Sequence, residues 1–306
     1  MTEREEPLLR VEHLCQYFKD IKAVDDVSFE IKKGEVFGLV GESGCGKTTT
    51  GRSIIGLHKI TSGTIYFDGK AIAAGSDRRR KKTNGDIQMI FQDPIASLDP
   101  RMTVGQIIAE GLLIRGERDK KEIHRKVYEV MEMVGLVRQH VDRYPHEFSG
   151  GQRQRIGVAR AVIMQPKLII ADEPVSALDV SVQAQVINLL DDLRRKMGLT
   201  ILFVAHDLAV VKYFCDRIGV MYYGKLVELA SSDELFEHPL HPYTKSLLSA
   251  IPMPDPDREK QRKRRVYVPL MEHDYHEDMP LYREVYPEHF VYCNQAEYES
   301  YQTSLL

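Results

Sequence analysis

The sequence predicts an α/β fold in which helices alternate with the strands of a mostly parallel sheet. Short apolar runs of strand length alternate with helical patterns along much of the chain. Several of these runs end in polar residues, as strands do where a site lies at the carboxyl edge of a sheet. A glycine-rich segment also joins one such run, Val36–Val40, to a helical pattern at Thr49–Leu57.

Length and composition fit a folded protein of one large domain or two small ones. The chain has 306 residues, and its 43% hydrophobic content is enough to build a full core. A formal net charge of −3 gives no global attraction to nucleic acid. The four cysteines, none in a CxxC pair, are typical of a reducing cytosol. The N-terminus lacks the apolar run of a signal peptide, and no apolar segment approaches a membrane span.

The first 40 residues are predicted to be rich in β-structure. Polar turns separate three expected strands, Leu9–Leu14, Val24–Ile31 and Val36–Val40. Tyr17 and Phe18 lie between the first two strands, where an aromatic ring could stack on a nucleotide base or belong to the core. The residues alone leave both roles open.

A phosphate-binding loop follows the third strand. Its residues fit the pattern G-x-x-x-x-G-K-[ST] and are Gly41, Glu42, Ser43, Gly44, Cys45, Gly46, Lys47 and Thr48. Glycines allow the backbone to wrap closely, so consecutive N–H groups form an anion nest at a helix N-terminus. We expect Lys47 to reach the β- and γ-phosphates and Thr48 to place its hydroxyl on Mg²⁺. The alternative is a glycine-rich turn that binds nothing.

Cys45 carries a separate expectation within this loop. It lies at a helix N-terminus beside Lys47, and both conditions lower the pKa of a thiol. We therefore expect selective alkylation of Cys45 that a bound nucleotide blocks. The alternative is that cysteine stands here only because it is small enough for the loop.

The segment after the loop returns to β-structure and then becomes helical. Thr64–Gly69 is predicted as a strand that ends in an Asp-Gly turn. The basic run Arg78–Lys82 could meet anionic lipid or nucleic acid, or could be a solvated loop. Ile87–Phe91 is a further expected strand, and Gln92 after it is placed to reach into a site. Residues 103–137 have apolar positions at helical spacing and are predicted as a helical insert.

Polar residues precede one predicted helix and lie at the ends of two more predicted strands. The segment Ser149, Gly150, Gly151 and Gln152 precedes a helical pattern, so it is either a second anion site or a plain N-cap. Asp172 and Glu173 end the apolar run Leu168–Asp172, where a carboxylate can hold Mg²⁺ and a second acid can polarise water. His206 follows the expected strand Thr200–Ala205 and is either catalytic or structural.

With these residues in view, the chain resembles the ATP-binding subunits of ABC transporters over about residues 8–235. Six motifs occur in the order of that family. They are Walker A (Gly41–Thr48), the Q-loop (Gln92), the signature (Ser149–Gln152, after Phe148 where leucine is commoner), Walker B (Leu168–Asp172, then Glu173), the D-loop (Ser176–Asp179) and the switch histidine (His206). The resemblance implies a P-loop NTPase core with a mostly parallel sheet, an antiparallel β subdomain and a helical insert at about 93–164.

The resemblance also implies roles for individual side chains. Glu173 is implied as the general base for the attacking water, and His206 as the sensor of the γ-phosphate. Gln92 is implied to link the γ-phosphate and Mg²⁺ to a transmembrane partner, with Thr48 and Asp172 as the other metal-binding residues.

Nucleotide contacts are implied on both members of a subunit pair. In the family, two ATPase subunits enclose two ATP molecules head to tail. Walker A with Thr49 therefore serves the chain's own ATP, with Phe18 implied as the adenine-stacking ring and Tyr17 as the second choice. Ser149–Gln152 and Asp179 are implied to serve the nucleotide of the partner.

Residues 236–306 are predicted as an extension outside the nucleotide-binding core. His241–Tyr243 and Ser249–Pro252 resemble the corresponding region of oligopeptide and dipeptide importer ATPases. His273–Tyr275 and Asn294–Glu297 are most similar to the F subunit of Gram-positive oligopeptide permeases. Many relatives bind an iron–sulfur cluster here, but Cys293 is the only cysteine after residue 215. We therefore expect no cluster, because one thiolate cannot replace four.

The function implied by this resemblance is ATP hydrolysis that drives the import of peptides. It implies a second ATPase subunit, either a sibling chain or a second copy, two transmembrane permease subunits, and an extracellular peptide-binding protein. The chain would lie peripherally on the cytoplasmic face of the membrane and bind no nucleic acid. The alternatives are import of nickel or another small solute, peptide export, a soluble ABC protein acting on ribosomes or DNA, and a regulatory nucleotide-binding module.

Overall fold

The structure is a computed structural model, which describes residues 6–75, 83, 85–251 and 265–303. The basic run Arg78–Lys82 and most of the charged stretch 258–265 lie outside the described residues. In chain order the described elements are β1 (Leu9–Phe18), β2 (Ile21–Ile31), β3 (Val36–Val40), α1 (Lys47–Ile55), β4 (Ser62–Phe67), β5 (Lys70–Ala74), β6 (Ile87–Ile90), α2 (Val104–Arg115), α3 (Lys120–Met133), α4 (Gly150–Val162), β7 (Leu168–Asp172), α5 (Val180–Met197), β8 (Thr200–Ala205), α6 (Leu208–Phe214), β9 (Arg217–Tyr222), β10 (Lys225–Ser231), α7 (Ser232–Glu237), α8 (Pro242–Ser249), α9 (Pro269–Glu272), β11 (Leu281–Tyr286), β12 (His289–Cys293) and α10 (Gln295–Thr303).

A central sheet of eight strands carries the fold, in the order β11-β12-β10-β9-β3-β8-β7-β6. Strands β6, β7, β8, β3 and β9 are parallel neighbours, and β10, β12 and β11 continue the sheet antiparallel. All residues of β3, β7 and β8 are buried, as their continuous apolar sequences require of parallel strands covered on both faces. The prediction of an α/β fold with a mostly parallel sheet is confirmed.

A second sheet of four antiparallel strands, β2-β1-β4-β5, packs beside the first. Its apolar side chains form one core cluster with residues of β3, β7 and β8. Asp68 and Gly69 form the turn between β4 and β5, and both have the positive φ that a two-residue hairpin turn requires. This turn is the Asp-Gly turn expected from the sequence.

The helical insert contains α2, α3 and α4. Thr103 begins α2 with a capping box to Gln106, and Asp119 caps the N-terminus of α3 through two backbone N–H groups. Helix α2 packs on both α3 and α4. Ile123, Val127, Val130 and Met131 on α3 are buried, which is the helical stripe predicted from their spacing.

The C-terminal extension contributes two strands to the central sheet. In β12, Val291 pairs with Glu228 of β10, and Phe290 pairs with Leu229. His289, Val291 and Cys293 alternate toward the core. The extension is therefore hydrogen-bonded to the sheet that carries the phosphate loop. The division of the chain after residue 235, which falls inside α7, stays a prediction.

Within the described part of the chain, no helix combines the length and the apolar character needed to cross a lipid bilayer.

Candidate functional site

The site lies at the carboxyl edge of four neighbouring parallel strands. The phosphate loop follows β3, His206 follows β8, Glu173 follows β7, and Gln92 lies two residues beyond β6. Parallel strands end at the same edge, so the sheet order brings together groups that are far apart in the sequence. This is the edge at which the sequence predicted a site.

The phosphate loop depends on two glycines for its path. Gly41 and Gly46 have φ values of 148° and 111°, a region that residues with side chains rarely adopt. A Cβ built on Gly41 would overlap the carbonyl oxygen of Met221, and one built on Gly46 would overlap that of Ala23. The loop is thus closely surrounded by backbone from both sheets, which leaves room only for glycine at these two positions.

Lys47 lies inside this loop with its side chain buried. Its Nζ donates to the carbonyl oxygens of Gly41 and Glu42 at 2.8 and 2.9 Å. Both acceptors are neutral. These contacts therefore fix the position of the ammonium group without neutralising its charge. A phosphate group is a better partner for this charge than either carbonyl.

Asp172 and Thr48 form the part of the site suited to Mg²⁺. Thr48 Oγ1 donates to Asp172 Oδ1 at 2.7 Å, and Arg52 lies 3.9 Å from Oδ2. Asp172 is fully buried, and Oδ2 has no hydrogen-bond partner in the described chain. Burial raises the pKa of the carboxyl, although the Thr48 hydrogen bond and the Arg52 charge work in the opposite direction. A buried carboxylate oxygen that accepts no hydrogen bond, beside a hydroxyl, fits a hard cation.

Gln92, Glu173 and His206 meet at a single oxygen atom. Glu173 Oε2 accepts a hydrogen bond from Gln92 Nε2 at 3.0 Å and lies 3.3 Å from His206 Nδ1. Glu173 has φ 45°, a left-handed conformation that costs free energy for a residue other than glycine. Its N–H donates to the carbonyl of Val204 at 3.0 Å, so pairing with β8 holds this conformation.

Most of these groups line one cavity of about 800 Å³, and Asp172 adjoins it through its hydrogen bond with Thr48. The cavity has room for a nucleoside triphosphate, and polar side chains such as those of Lys47, Thr48 and Glu173 line it. The lining residues are Ala23, Ser43, Gly44, Gly46, Lys47, Thr48, Thr49, Gln92, Asp93, Glu173, Ser176, Ala177 and His206.

The two aromatic candidates for base stacking differ in their surroundings. Tyr17 donates its hydroxyl to Asp25 Oδ1 at 2.6 Å, which holds its ring in place. Phe18 ends β1 with 41% of its surface exposed and makes an edge contact with His58. Phe18 is thus the more exposed of the two residues, since Tyr17 is only partly exposed. Neither ring is among the residues that line the cavity.

The signature lies apart from the chain's own cavity. Ser149 and Gln152 form a reciprocal capping box at the start of α4, with N–H to side-chain distances of 3.3 and 3.0 Å. A Cβ on Gly151 would contact Val182, so this segment packs against the start of α5. Asp179 caps α5 by accepting from Val182 N–H at 3.0 Å. Of the described residues that line the cavity, none belongs to Ser149–Gln152, and Asp179 is not among them either.

The expectation of a lowered thiol pKa at Cys45 is wrong. Burial raises the pKa of Cys45, although Lys47 Nζ lies 3.7 Å from the sulfur. Desolvation of the thiolate therefore outweighs the nearby positive charge. The sulfur packs so closely on Gly41 that a Cβ there would contact it, which supports the alternative that a small residue is needed.

Sequence reasoning missed Tyr243 as a part of the site. Its hydroxyl oxygen accepts a hydrogen bond from the Glu42 N–H at 3.1 Å, between residues 201 positions apart. The only signal in the sequence was the resemblance of His241–Tyr243 to importer ATPases, and that resemblance carried no role for this tyrosine.

Two protein-family descriptions match the chain. Residues 24–176 match "ABC transporter", and residues 227–276 match "Oligopeptide/dipeptide transporter, C-terminal region". The first match contains the loop, Gln92, the signature and Glu173 in one span. The chain belongs to the ABC transporter family. It is accordingly a transporter subunit that binds and hydrolyses ATP.

Curated relatives match nearly the whole length of the chain. It is 58% identical to the oligopeptide transport ATP-binding protein OppF of Bacillus subtilis, over 98% of this chain and all of that protein. It is 53% identical to AmiF of Streptococcus pneumoniae, an oligopeptide transport ATP-binding protein, over 94% of each chain. A dipeptide transport ATP-binding protein of Lactococcus lactis, DppF, is 53% identical over 92% of this chain and 90% of its own.

Solved structures with the same fold are ABC ATPase subunits. CbiO1 of Clostridium perfringens, part of an ABC transporter complex, superimposes with a TM-score of 0.69 at 31% identity, covering 76% of this chain and 92% of its own. MJ0796, solved as a dimer bound to ADP and Pi, has a TM-score of 0.64 at 26% identity over 73% of this chain and 98% of its own. The prediction of a P-loop NTPase core is thus confirmed.

Proposed function

We propose that this chain hydrolyses ATP to drive the import of oligopeptides through a membrane transporter. The observation that carries the proposal is a single cavity lined by Lys47, Thr48, Glu173 and His206. Asp172 adjoins it through the hydrogen bond that Thr48 donates. The peptide specificity rests on the relatives, which are named for oligopeptide or dipeptide transport. The family match over residues 227–276 supports the same substrate class.

ATP binds with its phosphates in the loop Gly41–Thr48. The N–H groups at the start of α1 and the Lys47 ammonium compensate the phosphate charge. Thr48, Asp172 and Gln92 would hold Mg²⁺, which would supply positive charge to neutralise the phosphates. Thr49 lies beside these groups, and Phe18 offers its exposed face to the adenine.

Glu173 accepts the proton of the attacking water. Gln92 and His206 contact the same carboxylate oxygen, so they orient the base. Either side chain can turn to the γ-phosphate, because each follows a strand end and is held, within the described part of the chain, by its hydrogen bond to Glu173. This exchange couples the presence of the γ-phosphate to the position of the Q-loop.

The working unit contains a second ATPase subunit, either a sibling chain or a second copy. The separation between the signature and the chain's own cavity supports this arrangement, since Ser149–Gln152 and Asp179 then serve the partner's ATP. Two permease subunits and an extracellular peptide-binding protein complete the transporter. The chain lies peripherally at the cytoplasmic face of the membrane. Residues 1–235 form the ATPase domain, and 236–306 form the extension.

A deletion strain tests this function. The gene is removed and returned as wild type, Lys47→Ala or Lys70→Ala, and uptake of a radiolabelled peptide is measured. We expect wild type and Lys70→Ala to restore uptake, because Lys70 lies at the start of β5 away from the cavity. Lys47→Ala should leave uptake at the level of the deletion strain. Normal peptide uptake in the deletion strain, with loss of radioactive nickel uptake instead, would assign the chain to a nickel importer.

A further inference from the structure

Tyr243 connects the C-terminal extension to the phosphate loop. It lies in the first turn of α8, is only 2% exposed, and accepts the Glu42 N–H at 3.1 Å. The carbonyl of the same peptide group, that of Gly41, accepts from Lys47 Nζ at 2.8 Å. Both polar groups of the Gly41–Glu42 peptide are therefore held, one by the extension and one by Lys47.

Two aromatic contacts and a hydrogen bond of its backbone N–H hold Tyr243 in position. Its ring centre lies 4.4 Å from that of Tyr222 and 5.5 Å from that of Tyr267. Its N–H donates to His241 Nδ1 at 3.1 Å, the N-cap contact of α8. A tyrosine ring packed in this way has few alternative rotamers, so its hydroxyl oxygen is a defined acceptor.

A buried carboxylate ties this region to the sheet. Glu228 of β10 is fully buried and accepts the N–H groups of Leu240 and His241 at 2.7 and 3.1 Å. It also contacts His289 Nε2 of β12 at 2.9 Å. The segment that precedes Tyr243 is thus anchored to both the core strand β10 and the extension strand β12.

We propose that Tyr243 is a positioning residue that sets the orientation of the Gly41–Glu42 peptide for ATP binding. When Lys47 leaves the Gly41 carbonyl for the phosphates, the Tyr243 hydroxyl remains as the hydrogen-bond partner of that peptide group. It keeps the N–H turned toward the extension, so the loop does not have to be reordered when ATP enters. The inference rests on the proposed binding of ATP in this loop, and it gives the extension a part in that binding.

Tyr243→Phe tests the proposal, because it removes one acceptor atom and keeps the ring. Tyr282→Phe is the matched control, since the Tyr282 hydroxyl is buried in the extension without a hydrogen-bond partner among the described residues. Titration of the full-length chain with Mg-ATP should give a dissociation constant about 2- to 12-fold higher for Tyr243→Phe, the range that one hydrogen bond is worth. In the complete transporter KM for ATP should rise by the same factor, with kcat within about twofold. Tyr282→Phe should leave both values unchanged.

Hydrogen exchange gives a second measurement that does not depend on activity. The Glu42 amide should exchange faster in Tyr243→Phe than in wild type or in Tyr282→Phe, because only that variant loses the acceptor. Equal affinities and equal Glu42 exchange in all three proteins would overturn the proposal, and so would equal losses in both variants, which would indicate general destabilisation. A wild-type chain that does not bind ATP would instead refute the proposed function.

Discussion

Replacing Glu173 by glutamine should separate ATP binding from ATP hydrolysis. The substitution keeps the shape of the side chain, and its carbonyl oxygen can still accept the hydrogen bond that Gln92 Nε2 donates at 3.0 Å. Neither Lys47 nor Thr48 depends on Glu173 for the contacts described above, so affinity for ATP should stay within about twofold. The variant cannot take a proton from water. Loss of a general base lowers the rate about 10²–10⁴-fold, or about 2.7–5.4 kcal/mol in the barrier.

The assay compares binding, turnover and assembly in the same protein. Dissociation constants are measured by titration, and hydrolysis is measured in the complete transporter. An ATP-bound pair of subunits should accumulate on size-exclusion chromatography, because the step that reopens it is slow. Glu12→Gln, on the exposed side of β1, is the control and should behave as wild type. Near-normal hydrolysis by Glu173→Gln would refute this role and make His206 the next residue to test as the base.

Two further changes address the metal and the partner subunit. ATP should raise the thermal unfolding temperature of wild type more with Mg²⁺ than with a chelator. In Asp172→Asn the rise should be the same under both conditions. A remaining effect of Mg²⁺ in this variant would place the ion elsewhere. The isolated Ser149→Arg chain should bind ATP as wild type does, whereas hydrolysis by the assembled pair should fall. In wild type, the turnover per subunit should rise with protein concentration or when the sibling subunit is added. Loss of ATP binding by the folded Ser149→Arg chain, or full turnover in a dilute monomer, would contradict the shared site.

Several elements of the site could be predicted because their signals are local. The loop Gly41–Thr48, the strand Leu168–Asp172 and the helix after Ser149 each follow from a few adjacent residues. Apolar runs predict buried strands, and glycines predict the path of the loop. Leu168–Asp172 has the ends that the sequence indicated, whereas the helix after Ser149 begins at Gly150, earlier than the helical pattern from Gln154 indicated.

Contacts between these elements could not be predicted in the same way. Gln92, Glu173 and His206 meet because β6, β7 and β8 are neighbours in the sheet, and strand order is not encoded in any one strand. The error at Cys45 has a related cause. Adjacent residues indicate a nearby lysine, but the burial that raises the thiol pKa depends on the packing of the folded chain, which a local pattern does not contain.

The extension shows most clearly how a distant segment can act on the site. Its sequence lacks a strong hydrophobic periodicity, yet its strand β12 pairs with β10. Glu228 on β10 accepts a hydrogen bond from the segment that leads to Tyr243. Lys47 can exchange two neutral carbonyls for phosphate at little cost, because both partners are on the loop itself. The Tyr243 contact comes from outside the loop and does not compete for phosphate. Of the two groups that hold the Gly41–Glu42 peptide, the lysine is thus free to follow the nucleotide while the tyrosine maintains the loop.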